Sequence, residues 1–188
     1  MKVLAISGSL RRDSHNTALA RAAAELLPPS AELEIFDGLK AVEPYDHDDD
    51  VGGGPSGAGR LRQAIESADA VLIATPEYNS SVPGQLKNAI DWASRPLGGN
   101  ALWGKPAAVV GASTGTFGAV WAQAEVRKTL AASGARVIEK DLPLGHADEA
   151  FTDDGRLADV ELHERYVEIL DELVALAEQT EHTEKLAA

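Results

Sequence analysis

Ser9, Arg11, Ser14, Asn16 and Thr17 crowd hydroxyl, amide and guanidinium donors into one short stretch, Ser7-Gly8-Ser9-Leu10-Arg11-Arg12-Asp13-Ser14-His15-Asn16-Thr17. Donors at this density, beside the free backbone N–H groups of a beginning helix and the fixed charge of Arg11, suit a phosphate monoester. The spacing is neither G-x-x-x-x-G-K-[ST] nor G-x-G-x-x-G, because no partner glycines follow Gly8, so nucleoside-triphosphate and dinucleotide turns are weak readings. The plainer alternative is an ordinary strand-to-helix turn closed by an Asn or Ser cap.

Two further groups carry chemistry. Pro76-Glu77-Tyr78-Asn79-Ser80-Ser81-Val82-Pro83-Gly84 joins the backbone constraint of Pro76, Pro83 and Gly84 to the ring of Tyr78 and the polar groups of Asn79 and Ser80. That mixture can cover a flat heteroaromatic ring and satisfy its polar rim; a tight turn with a surface tyrosine is the alternative. Ser113-Thr114-Gly115-Thr116-Phe117-Gly118 pairs small residues with hydroxyls and lets a ring approach the backbone. His146, within Leu144-Gly145-His146-Ala147, stands near a strand end and is weighed as an acid or substrate contact against a structural hydrogen bond. No Ser-His-Asp arrangement or close carboxylate pair emerges, so acyl transfer and glycoside hydrolysis have no candidate machinery.

These groups need a scaffold that brings them to one place. Apolar, β-branched runs at residues 3–6, 33–36, 70–74, 107–111 and 137–142 alternate with helical patterns at 17–27, 59–67, 84–94, 121–133 and 159–179. Such alternation implies one doubly wound parallel sheet with helices on both faces, and ligands on such sheets bind outside the carboxyl ends of the strands. The three loops all leave those ends. Val71-Leu72-Ile73-Ala74 reads as a central strand, and Thr75-Pro76 ends it. Leu86, Ala89, Ile90 and Ala93 form an apolar helical stripe, core or interface, with Trp92 beside it. Asp46-His47-Asp48-Asp49-Asp50 and the glycines after it read as a polar insert without the spacing of a calcium loop, and no metal site is expected. Residues 1–180 are expected to form a single domain, with 181–188 a frayed tail.

Composition excludes whole classes. With 188 residues and 44% hydrophobic content, one core is expected. Cysteine is absent, which removes disulfides, thiolate-bound zinc, iron–sulfur clusters and thiol redox chemistry; a redox role must use a bound cofactor. A net charge of -13 argues against nucleic acid and anionic membrane surfaces as partners. No apolar run reaches the ~20 residues of a membrane span and no signal-like start is evident, so a cytoplasmic location is expected.

At Gly8-Ser9-Leu10-Arg11 with Ser14 and Asn16, and at Pro76 through Gly84 running on into Leu86-Lys87-Asn88-Ala89-Ile90-Asp91-Trp92, the chain resembles the NADPH-dependent FMN reductases. These belong to the flavodoxin-like superfamily and include chromate, quinone and azo-dye reductases. The match runs from the first strand to about Leu157. It implies a five-stranded sheet in the order 2-1-3-4-5, with Ser9, Arg11, Ser14, Asn16 and Thr17 on the FMN 5′-phosphate, Pro76, Glu77, Tyr78 and Asn79 along the isoalloxazine, and Ser113 and Gly115 in the third flavin loop. Gly118-Ala119 stands where the family usually has Gly-Gly, and Trp121 where a basic residue is common. The implied activity passes hydride from NADPH or NADH to flavin N5 and then reduces a quinone, free flavin or similar small acceptor, with no protein side chain as essential acid or base. A homodimer or homotetramer is implied too, its contact expected at the stripe after Gly84 beside Trp92. The competing classes are a flavodoxin-like electron carrier and a flavin-binding sensor.

Overall fold

Runs such as Val71-Leu72-Ile73-Ala74 have no polar face to offer water, and each becomes a strand covered on both sides. In the computed structural model, which describes residues 1–152 and 154–187, strands form at Lys2–Ser7 (β1), Glu32–Phe36 (β2), Ala70–Thr75 (β3), Pro106–Ala112 (β4), Arg136–Val137 (β5) and Pro143–Leu144 (β6). Helices form at His15–Leu26 (α1), Ser56–Glu66 (α2), Gly84–Ala93 (α3), Val120–Ala132 (α4) and Val160–Ala187 (α5), with one 3₁₀ turn at Leu39–Ala41. The last helix thus carries its backbone through residues set aside above as a tail.

The sheet is parallel and ordered β2-β1-β3-β4-β5, the order the resemblance implies. Alternate residues serve opposite faces. Leu4, Ile6, Val71, Ile73 and Val109 pack under α2, α3 and α4, whereas Val3, Ala5, Leu72, Ala108 and Val110 pack under α1 and α5. Tyr166 of α5 is wholly buried and donates its hydroxyl to the Leu19 carbonyl at 3.0 Å, which ties α5 to α1; burial pushes the phenol up from its ordinary range. No helix among the described residues is long and apolar enough to cross a membrane.

Three expectations need correction or sharpening. The stripe on α3 is core: Leu86, Ala89, Ile90, Trp92 and Ala93 are all buried within the chain itself, so it is not available as an oligomer contact. Trp92 donates its indole N–H to the Glu43 carbonyl at 2.8 Å, edge-on to Tyr45. The strand expected at 137–142 is split, because Val137 pairs with Ala107 and Pro143 with Gly111, leaving two more residues on the edge than on β4. The side chain of Gln123, wholly buried, fills that bulge: its amide nitrogen donates to the Gly118 and Leu142 carbonyls and its oxygen accepts from Leu142 N–H. The acidic insert is anchored through Asp50, whose carboxylate pairs with Arg62 at 2.9 Å and Arg95 at 3.0 Å; these partners hold it below the ordinary carboxylate range, the Arg62 hydrogen bond most of all.

Candidate functional site

The strand order reverses at β1 and β3, and the loops that follow them open side by side. Gly8 N–H donates to the Ala74 carbonyl at 2.8 Å, which joins the two loops at their roots. A side chain at Gly8 would meet Leu86 Cδ2 at 2.8 Å and Pro76 Cδ at 3.2 Å, so glycine lets the first loop lie this close to α3 without displacing Leu86.

The first loop keeps its donors unspent. Ser14 caps α1, its hydroxyl oxygen accepting from Thr17 N–H at 3.3 Å, and Ser9 Oγ accepts from Arg11 N–H at 3.3 Å. Both hydroxyls act only as acceptors among the described residues, so each retains a proton to donate. The backbone N–H groups of Leu10 and of residues 12–16 likewise have no protein acceptor among the described residues. Arg11 is exposed and folds back so that its Nε and Nη2 donate to the Asp13 carbonyl, which stiffens the turn; Nη1 has no protein acceptor among the described residues. Positive charge, two hydroxyl protons and a row of N–H groups at a helix amino terminus fit a phosphate dianion.

Asn16 and Thr17 also bond within the protein. The Asn16 amide is buried, donating to the Ala112 carbonyl and accepting from Ala112 N–H, both at 2.9 Å. It brackets the end of β4 and ties the first loop to the third. Thr17 donates its hydroxyl to Ser7 Oγ at 2.9 Å. Thr17 thus spends its hydroxyl proton as a brace, whereas Asn16 spends its oxygen and one amide N–H as a bracket and keeps the second N–H.

In the second loop Pro76 is buried and Tyr78 is 53% exposed. Tyr78 and Ser81 exchange N–H···O bonds of 3.1 Å across Asn79 and Ser80, whose φ values of 53° and 58° make a two-residue turn of the primed kind. The Glu77 carboxylate is not spare either: one oxygen accepts from Trp121 N–H at 3.0 Å and Ala122 N–H at 3.1 Å, capping α4. Glu125 of α4 answers it, accepting from Ser81 Oγ at 2.5 Å and Val82 N–H at 3.2 Å; these two donors, the hydroxyl foremost, hold its carboxyl below the ordinary range. Sequence reasoning missed Glu125, because a glutamate on an exposed helix face gives no local sign of a partner 44 residues away.

The third loop turns on itself, Ser113 Oγ accepting from Gly115 N–H at 3.1 Å, and is stitched to the segment after β6. Ser113 exchanges backbone bonds with Leu144 and Ala147, and His146 N–H donates to the Gly115 carbonyl at 3.3 Å. His146 is exposed, with φ 48°; its part here is its backbone. Phe117 and Trp121, 64% and 47% exposed, meet edge to face at 5.1 Å. With Leu10 and Tyr78, also exposed, they put apolar surface along this edge.

At the switch point, where such sheets have their crevice, stand a donor-rich turn at α1, an aromatic turn after β3 and a small-residue loop after β4. A family model described as NADPH-dependent FMN reductase matches residues 1–149. An NAD(P)H-dependent FMN reductase of Pseudomonas aeruginosa is 45% identical over 160 residues, 85% of each chain. A quinone reductase of Pseudomonas putida is 42% identical over 158 residues, 84% of each. Among solved structures, the flavoenzyme NAD(P)H:acceptor oxidoreductase FerB of Paracoccus denitrificans superposes with a TM-score of 0.82 at 36% identity, covering 95% of this chain and 98% of that one.

Proposed function

The chain belongs to the NADPH-dependent FMN reductase family, and from that premise we propose that the crevice holds FMN with its 5′-phosphate on the α1 cradle and its ring along the second and third loops. It is an FMN-dependent NAD(P)H oxidoreductase. When bound, the flavin supplies hydride acceptance and onward electron delivery. The protein's own residues bind and orient. Ser9 and Ser14 donate hydroxyl protons, Arg11 supplies charge, and the N–H groups of residues 12–16 complete the shell around the phosphate. Pro76 and Tyr78 shape the wall for the ring, and the backbone at Glu77 and Asn79 faces its polar rim. Ser113 and Gly115 close the opposite side.

The crevice is open at Tyr78, Phe117 and Trp121, so donor and acceptor can enter one after the other from solvent. The acceptor class is a quinone or a free flavin, flat rings that suit such a rim. A homodimer or homotetramer belongs to the same reading, with its contact away from the buried stripe of α3.

The unspent donors of the first loop carry this reading. Nothing in the fold requires two serine hydroxyl protons and a run of N–H groups to lack protein acceptors beside an arginine. The test is a visible spectrum after FMN addition and desalting, then anaerobic NADPH or NADH. Retained flavin absorbance that bleaches with either nucleotide is expected. Flavin retained without bleaching would favour the carrier or sensor, and no retained flavin would refute the site.

A further inference from the structure

We propose that Glu125 is a positioning residue for the flavin-ring loop, its carboxylate fixing the turn of residues 78–81 against α4 through Ser81 and Val82. The inference rests on the reading of the second loop as ring-facing and adds a residue outside the three loops to the machinery.

The turn cannot hold its own shape. Asn79 and Ser80, neither of them glycine, are both in the left-handed region, where a side chain is strained. A single pair of Tyr78–Ser81 bonds is the whole of its ladder, and an isolated hairpin is marginal in water. The further holds come from α4, where Glu125 takes both the Ser81 hydroxyl and Val82 N–H on one oxygen.

The helix depends on the turn in return. α4 starts after Ala119, which has φ 60° and no polar side chain to cap the first N–H groups. Glu77 supplies that cap from the second loop, an anion at the positive end of the helix. Two carboxylates on two elements therefore clasp each other's backbone, and moving either element breaks both sets of bonds. The second loop is registered to α4, and through Trp121 to the rim beside the third loop.

These bonds lie at the surface, so they contribute little to global stability. A role in folding and a role in placing the loop thus give different results. Three proteins decide between them: wild type, Glu125→Ala and Glu125→Gln, each compared by flavin-fluorescence titration with FMN, visible circular dichroism of the bound flavin, and thermal melting without flavin.

Glu125→Ala is expected to melt with the wild type, to lose about tenfold or more in FMN affinity, and to change the visible dichroism. Glu125→Gln should recover most of both, since Ser81 O–H and Val82 N–H need only an acceptor and the amide oxygen is one. Glu125→Ala with wild-type affinity and dichroism overturns the proposal. So does a lowered melting temperature that accompanies the lost affinity and is not rescued by Gln. Wild-type protein that takes up no FMN overturns the site reading itself, and the proposal with it.

Discussion

Asn16→Ala separates the bracket from the cradle. The amide makes two hydrogen bonds of 2.9 Å to the N–H and carbonyl of Ala112, and both residues are almost fully buried. Removing the amide leaves two buried backbone groups unpaired at about 1–3 kcal/mol each, about 2–6 kcal/mol together. The loss falls at about 2–4 kcal/mol, water entering the space left by the amide lowering the upper end. For a chain of this length that is a drop of roughly 5–15 °C in Tm. Urea and thermal unfolding of the flavin-free protein, followed by far-ultraviolet circular dichroism, measure it. Arg11→Ala is the control: its side chain is exposed and bonds its own loop, so Tm should hold while FMN affinity falls about tenfold to a hundredfold. If Asn16→Ala melts within about 1 °C of wild type yet loses FMN as Arg11→Ala does, the amide serves the phosphate and the bracket is refuted.

Tyr78→Ala should leave flavin-free stability within about 0.5 kcal/mol, because the ring is largely exposed, while reducing FMN affinity or turnover; a variant equal to wild type in both removes the second loop from the site. Gly118→Ala should cost more than about 2 kcal/mol in a urea titration, since φ is 56° and a Cβ would stand 2.1 Å from the Pro143 carbonyl carbon; an unchanged midpoint would show that the turn relaxes freely. Glu43 caps α2 by accepting from Gly57 and Ala58 N–H, and its own backbone N–H first, then those two, hold its carboxyl below the ordinary 4.5. A lowered folded value means stability present above the ordinary pKa and lost as pH falls through the folded one. Glu43→Gln should therefore flatten the acid limb of urea midpoint against pH, and an unaltered limb would discount the cap.

Where a residue's surroundings are set by its own strand, sequence sufficed. β1, β3 and β4 are covered on both faces, which leaves only apolar residues available, and the runs stand out. The edge was not legible, because β5 and β6 are two residues each and the bulge between them is completed by Gln123, a side chain from α4. The α3 stripe shows the same limit: its periodicity marks an apolar face without naming what covers it, and the cover is the chain's own sheet and α2.

The site divides along the same line. Ser9, Arg11 and Ser14 lie within one loop and hydrogen-bond within it or to the start of the helix it opens, so their types and spacing already describe that loop. Asn16 has the same donor chemistry and stands two residues from Ser14, but its partner is Ala112, 96 residues on. Glu77 and Glu125 read in sequence as ordinary surface carboxylates, and each faces backbone N–H groups of a distant element. An amide or carboxylate looks the same in sequence whether it serves a ligand or an orphaned N–H, because both roles ask for one donor or acceptor at one place. What tells them apart is whether the donor is already spent. That accounting also reconciles a chain of net charge -13 with the proposed anion site: carboxylates such as Glu43, Asp50, Glu77 and Glu125 are turned onto helix termini, arginines and the turn, and the α1 terminus is capped by a neutral serine, which suits it to the proposed phosphate.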